Sequence, residues 1–169
     1  PDDVRLVRVD FFDMVNALSH RQIDAFLSGE PYPTIAVRNG VGRVLAYPYF
    51  DDAIGPINAG MLVRRDLIER QPARVQAIVN AHARATEHLC QDPADWTRRA
   101  AAFGNDPEIL AAAAANIELC WDMDAAFLTQ LRRLGDKMLE RGMIARLPDW
   151  EALVDTRFVA ETRRILQAD

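Results

Sequence analysis

The spacing of hydrophobic and polar positions changes character along this chain. From Val4 to Val9, apolar side chains (Val4, Leu6 or Val7, Val9) alternate with Arg5 and Arg8, the two-residue period of a strand. Asp10 stands where a helix N-cap belongs, with Asp13 three residues on in the manner of a capping box. Met14, Val15 and Leu18 give the short helix that follows an apolar stripe. Ile23 to Leu27 reads as a second, compact apolar strand, broken by Gly29. Pro31 or Pro33 opens the next helix, because proline is tolerated in a first turn. Asn39-Gly40 closes that helix. Val44, Leu45 and Ala46 form a third strand, ended by Pro48. The expected unit is β-α-β-α-β, with parallel pairing and right-handed crossovers as the default.

Tyr47 to Pro56 has the composition of a crossing segment, with aromatics, prolines, an acidic pair and a glycine. Asn58 to Val63 reads as one further strand. From Asp66 onward the period is helical. Pro72 opens a long helix with Val75, Ile78, Val79, Ala83, Thr86 and Leu89 on its apolar positions. Asp92-Pro93 and Asp106-Pro107 are two N-cap-plus-proline starts. Asp122 or Asp124 starts another helix, with Phe127, Leu131, Leu134 and Met138 on one stripe and Gly142 as its stop. A last helix is expected from Asp155 to Leu166. The expected fold class is therefore α/β: a β-α-β-α-β unit over residues 1–50, a crossing segment at 51–57, and a strand with a helical cluster over 58–169. A single strand makes no sheet, so the one at Asn58 needs partners from elsewhere.

Composition narrows the function classes. Half of the 169 residues are hydrophobic, 27% are charged, and the net charge is −5. Phosphate binding needs clustered Lys and Arg, and here Arg98-Arg99, Arg132-Arg133 and Arg163-Arg164 fall in separate helical segments. Nucleic acid is not an expected partner. No stretch reaches the ~20 apolar residues of a membrane span. The chain begins at Pro1, almost on top of a strand, and reads as a processed or truncated product.

Candidate chemistry is sparse. His82 and His88 are six apart on one helix and point to different faces, so they cannot share a metal. His20 sits at a helix end, where a cation suits the dipole. Cys90 and Cys120 fit no metal or redox motif. Each lies near a helix end, so a disulfide in an oxidising compartment is one reading, and two unrelated thiols buried in helix packing is the other. The chain carries no P-loop, no G-x-G-x-x-G and no G-x-S-x-G. No cofactor, metal or catalytic residue is expected.

Binding residues are expected where strands end, because ligands of open α/β sheets sit beyond the carboxyl ends of strands. Phe11 and Phe12 follow the first strand; Glu30 and Tyr32 follow the second, around Gly29 and Pro31. Glu30 has two readings, a ligand-facing carboxylate or a helix N-terminal acid that favours the dipole. Among Phe11, Phe12, Tyr32, Tyr47, Tyr49 and Phe50, two or three are expected to line a cleft.

The run Asp3-Val4-Arg5-Leu6-Val7, Ala17-Leu18, Gln22-Ile23-Asp24-Ala25-Phe26, Glu30-Pro31 and Gly40-Val41-Gly42-Arg43-Val44-Leu45 resembles the second lobe of a known family. That family is the periplasmic solute-binding proteins of ABC importers, nitrate/sulfonate/taurine type, which include binders of thiamine-pyrimidine precursors. Gly60-Met61-Leu62-Val63, Pro72-Ala73-Arg74-Val75 and Asp92-Pro93 resemble the family's return into the first lobe. Met138 to Ile144 and Leu153-Val154-Asp155 resemble its C-terminal helices. One departure is Arg21-Gln22, where the family has a glycine before Ile23-Asp24-Ala25.

The resemblance implies the C-terminal portion of a two-lobed, type II periplasmic-binding-protein fold, with 51–57 as hinge. It implies capture of a small solute by hinge closure, an ABC permease in the membrane as partner, and a periplasmic or membrane-anchored extracytoplasmic location. Phe11, Phe12, Glu30, Tyr32 and Asn58 would line the cleft. The alternatives are a thiamine-pyrimidine synthase-like enzyme, whose cysteine-rich motif this chain lacks, and a ligand sensor on the same fold.

Overall fold

The computed structural model describes residues 3–51 and 55–168. Among these, nine α-helices follow in chain order: α1 (Met14–Ser19), α2 (Tyr32–Arg38), α3 (Arg65–Arg70), α4 (Pro72–Gln91), α5 (Pro93–Ala101), α6 (Pro107–Ala114), α7 (Ala125–Glu140), α8 (Trp150–Leu153) and α9 (Arg157–Ala168). Two short 3₁₀ turns, Phe11–Asp13 and Pro48–Phe50, complete the regular structure.

The expected α/β class is not what forms. No β-strand is present among the described residues. The segments 4–9, 23–27, 44–46 and 58–63, read as strands, are irregular and unpaired with one another. Leu6, Leu45 and Leu62 stand 93%, 78% and 94% exposed. The physical reason lies in what alternation encodes. A two-residue period specifies two faces, but a strand also needs a neighbour to take its N–H and C=O groups. A helix closes its hydrogen bonds within its own segment, so the helical half of the expectation survives and the sheet half does not. The expected sheet lobe of a type II binding fold falls with it.

The chain forms two compact units. The first comprises Pro1–Ala46 and Asp92–Glu118, and the second Tyr47–Gln91 and Leu119–Asp169. The hinge expected at 51–57 falls partly on residues 52–54, which include Asp52 of the crossing segment's acidic pair and lie outside the described residues.

In the first unit, α1 packs on α2, α2 on α6, and α5 on α6. The buried positions are mostly small: Ala17, Ala36 and Ala113, with Leu110 the one large apolar side chain among them. Small side chains let short helices approach closely. The proline starts behave as read. Asp92 accepts from Asp95 N (3.0 Å) and Asp106 from Glu108 N (2.7 Å), each satisfying one orphan donor of the helix it opens. Asp95 is itself buried, and its carboxylate is held by Arg98 Nη2 (2.6 Å) and Arg99 Nε (2.5 Å). Its hydrogen bond and charge hold the Arg99 guanidinium above its ordinary range. Gly40, at φ +67°, ends α2 in the left-handed conformation its sequence position suggests.

In the second unit the principal interface is α4 on α9. Val75, Ala83 and Thr86 of α4 are buried, as are Phe158, Val159 and Thr162 of α9. A polar knot crosses this interface. Gln76 Nε2 lies within reach of Asn80 Oδ1 (2.8 Å), Thr162 Oγ1 (2.9 Å) and the Phe158 carbonyl (3.0 Å). The Thr162 hydroxyl also stands 2.6 Å from Asn80 Oδ1. Asp124, not Asp122, caps α7, accepting from Phe127 N at 2.8 Å. Asp122 instead pairs with Arg163 of α9, whose Nε and Nη2 both reach Oδ1 (2.9 and 2.7 Å). Gly135 sits mid-helix in α7 because a Cβ there would come within 2.6 Å of the Trp150 ring. No described helix is long and apolar enough to cross a membrane.

Candidate functional site

Three of the expected site residues come together. Asp10 accepts from Phe12 N (3.1 Å) and so fixes the 3₁₀ turn that carries Phe11 and Phe12. Tyr32 is the first residue of α2. The Phe11 and Tyr32 ring centroids lie 4.4 Å apart at 72°, an edge-to-face contact. Phe12 meets Phe11 at 5.7 Å and Tyr32 at 6.1 Å, also edge-on. Such pairs contribute about 0.5–1.5 kcal/mol beyond area burial. Yet the rings are far from covered: Phe11 is 42% and Phe12 76% exposed.

Beside the cluster runs an open groove of about 320 Å³ between α1 and α2. Phe12, Val15, Tyr32 and Ile35 give it apolar walls; Asn16, Ser19 and Asn39 add amide and hydroxyl groups. Its lining carries no charged side chain. A groove of this kind suits a small planar body with hydrogen-bonding edges better than a bare anion, which would call for cationic donors.

Glu30 does not line the groove. Its Oε2 accepts from Thr34 N (3.2 Å), capping α2, and its Oε1 accepts from Asn116 Nδ2 (2.8 Å), tying the end of α6 to the start of α2. Of its two readings, the helix N-terminal acid has the contacts. Through that cap Glu30 holds the helix end on which Tyr32 sits. Asn58 is exposed in an irregular stretch of the second unit, apart from the unit that carries the aromatic cluster. Tyr47 and Phe50 form a separate edge-on pair at 6.3 Å.

Asn16 and Ser19 were not singled out in the sequence, and Asn39 was read only as a helix stop. A signal for the first two was present: Phe12, Asn16 and Ser19 fall at intervals of four and three, one face of a helical turn. Ser19 Oγ lies 3.1 Å from His20 Nδ1, and both groups also meet one backbone carbonyl. The Ser19 hydroxyl donates to the Asn16 carbonyl (2.8 Å), and the neighbouring His20 ring lies 2.9 Å from that same carbonyl. Both groups serve the end of α1. His82 and His88 are exposed on α4, and no cluster of three or more metal-ligating side chains occurs among the described residues. Cys90 and Cys120 are both exposed and free, not buried as one reading had it. Cys90 lies in the last turn of α4 and Cys120 in the irregular segment before α7.

Open aromatic rings beside an uncharged groove are the kind of surface that small-molecule binding uses. Comparison with protein families reaches the same class from the sequence: residues 1–103 match the model of the NMT1-like family, and the chain belongs to that family of nitrate/sulfonate/taurine-type solute-binding proteins. The family is typically extracytoplasmic and its members usually bind and do not catalyse. No curated protein and no solved structure matches the chain.

Proposed function

We propose that this chain captures a small, planar, uncharged or weakly charged heteroaromatic solute against Phe11, Phe12 and Tyr32. Among the solutes of the family, a pyrimidine fits this description; nitrate and simple sulfonates do not. The observation that carries the reading is the edge-on cluster of three rings left open beside a groove with no charged lining. Edge-on aromatic clusters in water lose little by admitting another ring, and each new ring contact adds about 0.5–1.5 kcal/mol. Asn16, Ser19 and Asn39 supply the directional hydrogen bonds that orient it. Glu30 acts as a positioning residue for Tyr32.

The finer steps belong to the same proposal, and membership of the NMT1-like family is what supports them. They are a periplasmic or membrane-anchored location, capture by hinge closure, and delivery to an ABC permease. The test is a thermal-shift screen of the chain against aminopyrimidines, aromatic carboxylates, taurine, alkanesulfonates and nitrate. A ligand at a hundred times its Kd stabilises the folded form by about 2.7 kcal/mol. Aminopyrimidines should raise the Tm, and Phe12→Ala or Tyr32→Ala should cut the rise to about half at the same ligand concentration. A rise with nitrate or sulfonate and none with ring compounds would overturn the assignment.

A further inference from the structure

The second unit holds a feature that solute capture does not use. The chain leaves this unit after Gln91 and returns at Leu119. Cys90 stands one residue before the exit and Cys120 one residue after the return. Both thiols are free and exposed, and both line one groove of about 420 Å³, together with Thr86, Leu119 and Trp121. Cys90 Sγ points at the backbone beside its counterpart, lying 3.8 Å from the Leu119 carbonyl oxygen. Peptide geometry fixes that oxygen close to the next Cα, which puts Cys90 Sγ within about 6.6 Å of the Cys120 Cα. Cys120 Sγ is turned toward the Asp122 carbonyl (3.7 Å). Cys120 is exposed beside the groove, so other staggered rotamers about its Cα–Cβ bond are open to it.

We infer that Cys90 and Cys120 form a reversible disulfide that fastens the outgoing and returning chain passages of the second unit side by side. The chemistry is thiol–disulfide exchange with an external disulfide, either a small-molecule disulfide or an oxidoreductase of the compartment. The thiolate of one cysteine attacks that disulfide, forms a mixed disulfide and releases one reduced thiol. The second cysteine's thiolate then attacks the mixed disulfide and releases the other. Two electrons pass to the oxidant, and the two cysteine protons end on the released thiols. The bond closes a loop that contains the whole Asp92–Glu118 segment. It restricts the unfolded chain more than the folded one, so the oxidised form is the more stable. This inference stands apart from the solute assignment and involves none of its residues.

The experiment uses oxidised glutathione as the oxidant and reads intact mass, peptide mapping and melting temperature. Oxidation should lower the intact mass by two hydrogens. Trypsin should then yield one cross-linked species joining Ala85–Arg98 to Ala100–Arg132, and dithiothreitol should release it. The oxidised chain should melt several degrees above the reduced one. Cys90→Ser and Cys120→Ser should each keep a glutathione adduct and show no gain in Tm. Stable glutathione adducts on both cysteines of the unmodified sequence would overturn the inference. So would disulfide-linked dimers as the main product, or an equal Tm gain in either serine variant.

Discussion

The α1–α2 groove of the first unit and the α4–α9 interface of the second use polar groups in opposite ways. At α4–α9, Thr162 is fully buried, and its hydroxyl meets Gln76 and Asn80 within a closed set of partners. No described buried side-chain polar atom lacks a partner. A closed network of this kind rigidifies a core and leaves nothing for a ligand. In the α1–α2 groove, amides and a hydroxyl line a hollow beside rings that water still reaches. The contrast teaches where to look for function: not at the best-satisfied polar cluster, but where apolar surface and hydrogen-bonding groups stay open together.

Four experiments break or sharpen that contrast. The largest effect is expected from Phe158→Ala at the structural interface. It empties a buried site and removes the ring under the Arg157 guanidinium, 5.6 Å from its centroid. The loss should be about 3–5 kcal/mol in chemical denaturation; a loss below about 1 kcal/mol would mean the α4–α9 contact is not the core it looks to be. Thr162→Val keeps the shape but deletes the hydroxyl, leaving Gln76 Nε2 and Asn80 Oδ1 with one partner fewer each, and should cost about 1–3 kcal/mol. Neither substitution touches the groove, so affinity for any aminopyrimidine found should be unchanged per folded molecule.

Tyr32→Ala reverses the pattern. Its ring is only half-buried, so the stability cost should be modest, while the Kd for the ring ligand should rise about tenfold, equivalent to ~1.4 kcal/mol. Calorimetry on the folded variant separates the two quantities. A large loss of stability with unchanged Kd would make the aromatic cluster a piece of core.

The smallest effect concerns acid. Asp155 sits just before α9 and pairs with Arg157 (2.9 and 2.7 Å). That hydrogen bond, more than charge alone, holds the Asp155 carboxyl below its ordinary value of 3.8. A lowered carboxylate value means the contribution is complete above pH 3.8 and fades as pH falls through the lower, folded-state value. Arg157 is largely exposed, so solvent screens the pair and its contribution is small. Asp155→Asn should therefore weaken the chain slightly at pH 7 and flatten its stability profile below pH 4, measured by urea titration across pH. An unchanged acid limb would remove the pair from the account.

Much of the helical architecture was legible residue by residue. Asp92-Pro93 and Asp106-Pro107 announced α5 and α6, and Asn39-Gly40 announced the end of α2, because caps and stops act on the nearest backbone groups. The aromatic cluster was half legible. Phe11, Phe12 and Tyr32 were named for lying past expected strand ends; they meet instead because a 3₁₀ turn and a helix start bring them together. The short helix at Trp150 was not read from the sequence, and Asn39 was read only as a helix stop, not as part of a groove.

Taken alone, the order of residues determined what local forces decide: which segments coil, where each helix begins and stops, and the family to which residues 1–103 belong. Tertiary structure decided every matter that needs a second partner. It left the alternating segments without strands to pair with, and of the two readings of Glu30 it supplied the contacts of the helix N-terminal acid, shared by Thr34 N and Asn116. It also brought Cys90 beside Leu119 across an intervening segment that belongs to the other unit. Local hydrogen bonds are encoded within a few residues, whereas a pairing between distant groups exists only once the chain has closed the loop between them.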